Sequence, residues 1–231
     1  MTMLIAAAAA FLAIHLLISG TRLRDALAGA IGQGPYMGLF SLASIATLAW
    51  MGVAYAAAHR GADPLYWAAT PATRWIQLVV SLAAFLLVVP GLTTPNPTSV
   101  RQEAALERRD AVRGVLRITR HPFLCGVALW AAGHLMVNGD LASLVLFGSL
   151  LLLAILGTAS IDAKRRRALG EKWDAFARAT SAVPFAAILQ RRQTLKLREI
   201  GATRIIAALA VWGALLAAHP YLFGVSPLPG P

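Results

Sequence analysis

Apolar residues run in long blocks along this chain, broken by short polar and charged stretches, with no period-2 alternation. Six blocks approach the roughly 20 apolar residues that a helix needs to cross a bilayer core. They run from Thr2 to Ser19, Tyr36 to Ala58, Ile76 to Leu92, Pro122 to Val137, Leu141 to Ser160 and Ile205 to Leu222. The pattern predicts an all-α, polytopic membrane protein of about six transmembrane helices. The fourth and fifth blocks are parted only by Asn138-Gly139-Asp140, turn residues that predict an antiparallel hairpin. Pro122 opens the fourth helix, where its missing N–H costs nothing. Between blocks, Thr93 to Arg120 reads as a turn followed by a charged helix. The segment Ile161 to Arg204 begins as an amphipathic helix at the membrane surface, with Trp173 and Phe176 turned down and the arginines toward headgroups.

Composition agrees with this reading. Of 231 residues, 58% are hydrophobic and only 13% charged, against roughly a quarter charged in soluble domains, and mean hydropathy is +0.66. A single membrane domain over residues 1–231 is expected, with no soluble appendage large enough to fold alone. The net charge of +11 sits between the apolar blocks, where lipid headgroups lie. No nucleic-acid partner is therefore expected; the lipid bilayer is the expected partner. The one cysteine, Cys125, excludes an intramolecular disulfide and any CxxC pair.

Charge also orients the chain. The connections after the first, third and fifth blocks hold 19 of the 21 lysines and arginines, leaving only Arg60 and Arg74 on the other side. The positive-inside rule then puts both termini outside, in a multi-pass protein of a bacterial inner membrane. The first block has no positive residues before it, so it reads as a retained helix and not a cleaved signal.

Ionisable groups within the bilayer are costly and so are functional candidates. All ten carboxylates fall in or beside loops, which predicts no buried acid pair. Three histidines stand out: His15 in the first block, His121 at the start of the fourth, and His134 near its other end. A neutral imidazole there either bonds to a neighbouring helix or ligates a metal such as haem iron. His121, flanked by Arg117 and Arg120 at a helix start, either receives an anionic ligand or anchors the helix at the interface. His59 and His219 read as interfacial polar residues. No Ser-His-Asp, HExxH, P-loop or GxGxxG pattern occurs.

The ordered set His15 with Ser19-Gly20, Arg120-His121-Pro122, His134, Lys172-Trp173 and Ala179 through Phe185 resembles the NnrU family. These are bacterial membrane proteins named for an association with denitrification, with the zeta-carotene isomerases as distant relatives. The resemblance covers residues 4–188, and the last transmembrane helix, about 205–222, follows it. It implies a b-type haem ligated by His15 and His134, linked to nitrogen-oxide metabolism or to isomerisation of a lipophilic polyene, in an isomerase or redox protein. Topology puts the two histidines at heights differing by about 10 Å or more, while two axial ligands of one iron lie about 4 Å apart. Three arrangements stay open: His15 with His134, His15 with His121, or one histidine alone.

The second half also resembles the membrane methyltransferases typified by isoprenylcysteine carboxyl methyltransferase, through Arg120-His121-Pro122, the hairpin, and Gly170 with Trp173 and Phe176. Those enzymes carry a glutamate pair where this chain has Asp162 alone. A non-catalytic component for membrane assembly or transport is the third reading.

Overall fold

The computed structural model describes residues 1–108 and 110–229; Arg109 of the first long basic loop, with Gly230 and Pro231, lies outside them. Among the described residues the chain is all-α. The helices are α1 (Thr2–Ala13), α2 (Leu23–Ile31), α3 (Gln33–His59), α4 (Pro71–Thr93), α5 (Pro122–Val137), α6 (Leu141–Leu169), α7 (Glu171–Ala179), α8 (Ala186–Leu189) and α9 (Ala202–Phe223).

Four of these, α3, α4, α6 and α9, are each long and apolar enough to cross a membrane. This is fewer than the six expected, for two physical reasons. The first apolar block does not continue as one rod: α1 passes into a π turn over Ile14–Ile18, and α2 leaves at 81° to it, so the two make at most one broken span. The fourth, α5, has only 16 residues, about 24 Å at 1.5 Å per residue against a hydrocarbon core of about 30 Å.

Helix ends follow local chemistry. Thr70 caps α4 in a reciprocal capping box with Thr73, and Pro71 takes the first helical position. Asp140 caps α6 by accepting the Ser143 N–H at 2.7 Å. The expected hairpin of α5 and α6 is present. Its turn needs glycine because a Cβ at Gly139 would lie 2.2 Å from the Trp67 carbonyl oxygen.

Two groups of helices share α6. On one side α1 packs on α3 and α6, burying Leu4, Ala7, Phe11, Met51, Ala54 and Ala142. On the other, α5 lies between α6 and α4, and α4 carries α9. Small residues set the α4–α5 contact: a Cβ at Gly126 would lie 2.5 Å from Val88 Cγ2 and 2.7 Å from the Ala84 carbonyl oxygen. Outward faces remain apolar, as with Leu39, Leu42, Ile45 and Val53 along α3 and Ile206 and Leu209 on α9. Exposed apolar helix faces on this scale require a lipid surround. The chain runs from Met1 through α1 to the level where Lys164 bonds the Ser19 carbonyl, and the Ser226 carbonyl accepts from Arg74, so both termini lie at the end opposite the basic loops.

Two expectations for the loops are corrected. Among its described residues the stretch Thr93 to Arg120 forms no charged helix, only 3-10 turns at Glu103–Glu107 and Gly114–Arg117. The amphipathic helix exists as α7, but Trp173 and Phe176 are buried in protein, where α7 packs on α6 and on the turn Glu103–Glu107. A nearby fold of the basic loop supplies an apolar surface closer than the bilayer.

Candidate functional site

The segment leading into α5 is held to distant parts of the chain by several hydrogen bonds. Arg120 N–H donates to the Ser181 carbonyl at 2.9 Å, and Phe185 N–H donates to Ile118 at 2.8 Å. The buried Thr119 hydroxyl donates to Ala182 at 2.8 Å. Thus the stretch Ser181 to Phe185 runs along Ile118 to His121 as a brace. Phe185 adopts φ 65°, a left-handed conformation that a bulky side chain accepts only under tertiary constraint. Asn96 and Thr98 side chains both donate to the Arg120 carbonyl.

Held this way, His121 is 2% exposed and its Nε2 lies 2.7 Å from Asp162 Oδ1 on α6. Arg120 forks onto the same carboxylate, Nε to Oδ1 at 3.0 Å and its terminal nitrogen to Oδ2. Arg117 is likewise taken by Glu199, Nε to Oε2 at 2.7 Å, and by Gln193. Arg117 holds the Glu199 carboxyl down to about 2, helped by the Gly114 N–H. The cationic cradle expected to receive an external anion is therefore neutralised from within by Asp162 and Glu199. Sequence reasoning noted Asp162 as the lone acid in place of a glutamate pair but not as the partner of Arg120 and His121, which only the packing of α5 on α6 brings to it.

His15 lies in the π turn, a feature that often marks functional positions. Ser19 N–H reaches the Ile14 carbonyl at 3.0 Å, and Gly20 fits because a Cβ would lie 2.3 Å from the Leu16 carbonyl oxygen. The His15 ring meets Phe11 and Phe40 at centroid distances of 4.5 and 5.2 Å, and its Nδ1 bonds the Phe11 carbonyl at 2.8 Å. His134 repeats the arrangement: Nδ1 bonds the Trp130 carbonyl at 2.8 Å, and the ring packs on Trp130 and stacks on Phe147. Gln77 of α4 approaches the same Nδ1 at 3.0 Å. In His15 the carbonyl fixes the proton on Nδ1 and leaves Nε2 with a lone pair, the tautomer that metal-binding histidines use. In His134 the Trp130 carbonyl and the Gln77 amide nitrogen both meet Nδ1, and Nε2 has no hydrogen-bond partner among the described residues.

Each ring alone thus suits an iron, but the pair does not fit one haem. Lys164 bonds the Ser19 carbonyl at 2.9 Å and Gly20 lies against Ser160 of α6, which fixes the level of His15. His134 lies level with Phe147 of the same helix. Counted along α6, the two rings differ by about 12 Å in level, three times the separation of two axial ligands. Among the described residues no hydrogen bond or ring contact joins His15, His121 and His134. Surface hollows lined by Ala69, Arg74 and Ser226, and by Thr94, Pro95 and Arg108, do not include them either.

At the opposite end, His59 lies between Asp63 and Asp140, both mostly buried. This corrects the expectation that acids in or beside loops leave no buried acid pair. His219 bonds the Val225 carbonyl at 2.9 Å and stays at the surface.

The family model described as "NnrU protein" matches residues 3–227. The chain is also similar to the chloroplastic 15-cis-zeta-carotene isomerase of Arabidopsis thaliana, 26% identical over 209 residues, covering 88% of this chain and 56% of that protein. For the enzyme of the same name from Zea mays the identity is 26% over 175 residues, covering 75% of this chain and 47% of that protein. The chain therefore spans about half the length of the curated relatives it matches. No solved structure matches it.

Proposed function

The chain belongs to the NnrU family, and we propose that it isomerises a lipophilic polyene within the membrane, as the name of its plant relatives describes for them. The observation that carries this reading is His134. Its imidazole lies inside an apolar bundle, walled by Trp130 and Phe147, with Nε2 free of any hydrogen bond among the described residues. Cis–trans isomerisation needs no group transferred and no water. An apolar, aromatic-lined setting suits a polyene, whose flat conjugated chain packs on ring faces. Haem iron in this reading takes its protein ligand from His134 or His15 singly, since their levels forbid sharing. The protein lies in a bacterial cytoplasmic membrane with the basic loops inside.

Methyl transfer is less well supported. His121, the residue it requires, has Nε2 committed to Asp162 and almost no exposed surface. That ring fastens the loop to α6.

The test uses the purified full chain in lipid nanodiscs with 15-cis-zeta-carotene as the probe, under reducing conditions, with isomers separated by chromatography. Conversion above protein-free discs is expected, falling at least about tenfold in His134→Ala. Absence of conversion by the wild-type protein overturns the reading. An absorption spectrum of the same sample reads haem directly, and single His15→Ala and His134→Ala variants identify which ring holds it.

A further inference from the structure

At the end of the bundle remote from the basic loops, His59 ends α3, Asp63 follows in the connection to α4, and Asp140 caps α6. One potential ligand atom from each lies within 4.8 Å of the others. His59 Nδ1 is 3.0 Å from Asp63 Oδ2, and its Nε2 is 3.6 Å from Asp140 Oδ1. The acids are withdrawn from solvent, with side chains 7% and 15% exposed, while His59 at 39% keeps the cluster open to water.

The main chain already orients both carboxylates. Asp63 Oδ1 accepts the Ala142 N–H at 3.0 Å, and Asp140 Oδ1 accepts that of Ser143 at 2.7 Å. Asp63 Oδ2 is fully buried and has no hydrogen-bond partner, although it lies 3.0 Å from a ring nitrogen. The short distance without an aligned N–H means that the two atoms converge on shared space and do not bond to each other. Among the described residues no lysine or arginine comes within ion-pairing distance of either acid, whereas Asp162 at the other end has Arg120. Two mostly buried carboxylates face one imidazole, which can supply at most one positive charge. An orphaned buried carboxylate oxygen is costly, and a cation removes that cost.

We propose that His59, Asp63 and Asp140 bind a divalent transition-metal ion of the zinc class. One imidazole nitrogen and two carboxylates make a mixed nitrogen–oxygen set suited to such an ion, while magnesium and calcium favour oxygen alone. The backbone bonds to Asp63 and Asp140 serve as the outer contacts that hold ligands in place. Nearby, Tyr66 N–H bonds the Gly139 carbonyl at 2.8 Å and Leu141 N–H bonds that of Pro64 at 3.0 Å, so the loop and the hairpin turn are joined before any ion arrives. The ion clamps the end of α3 to the α5–α6 turn, and its open positions face water. None of this depends on the polyene reading.

Zinc alone is the probe. The full chain, purified in detergent and stripped with a chelator, is expected to bind about one zinc ion saturably and to melt at a higher temperature with zinc present. Asp63→Asn keeps an acceptor for the Ala142 N–H but removes the charge; affinity falls at least about tenfold. His59→Ala, at an exposed helix end, gives the same loss and decides the matter if Asp63→Asn does not fold. His219→Ala, which removes a surface imidazole at the same end, leaves binding unchanged. No saturable binding by the wild-type chain, or unaltered affinity in His59→Ala, overturns the assignment.

Discussion

His15, His121 and His134 share a side chain and differ in what meets their ring nitrogens. A backbone carbonyl holds Nδ1 of His15 and of His134, so each keeps Nε2 free. In His121 the carboxylate of Asp162 takes Nε2, and Nδ1 is buried without a partner. That ring is a fastening, and Asp162 is the residue on which it and Arg120 both depend. Asp162→Asn leaves a buried guanidinium without its counter-charge and should cost about 3 kcal/mol, read as a lowered melting temperature in detergent, with the far-ultraviolet helical signal retained. His121 was legible in Arg120-His121-Pro122, but its partner was not. Asp162 lies 41 positions away, and only the packing of α5 on α6 brings the two together. The same holds for Asp63 and Asp140, which read as ordinary loop acids until the loop folds over the hairpin turn.

At the level of helices, apolar blocks located α3, α4, α5 and α9 to within about five residues, because burial in lipid demands a continuous apolar run. Helix α6 starts where its block does but continues past Ser160 to Leu169. What the blocks did not reveal is where a run breaks. The π turn at Ile14–Ile18 and the 81° departure of α2 come where Gly20 lies too close to Leu16 and Ser160 to carry a side chain, which hydropathy does not record. The contact of α4 with α5 likewise rests on Gly126. Gly126→Ala puts a methyl group against backbone of α4 that cannot move aside, and should cost about 2 kcal/mol. Gly38→Ala, with nothing within 4 Å of its added methyl, is the matched control and should not lower the melting temperature, since alanine is the better helix former.

For the whole molecule, the partition of charge and the arrangement of termini make one statement about orientation. Arg60 and Arg74 lie at the end that carries both termini, and the other described basic residues lie toward the opposite end. In a Cys125→Ala background, Ser226→Cys should react with a membrane-impermeant thiol reagent on intact cells, and Arg22→Cys only after the cells are opened. The reverse pattern would invert the orientation. By itself the sequence determined the class of molecule, its apolar blocks and its charge asymmetry, since these follow from transferring each segment between water and lipid, a property local to the segment. Only the tertiary structure decided which polar groups meet: Asp162 with His121, Asp63 with His59, and His15 a dozen ångströms (about 12 Å) in level from His134. Those pairings depend on the register between helices, which close contacts at glycines and hydrogen bonds between distant loops set, and hydropathy along the chain carries no record of either.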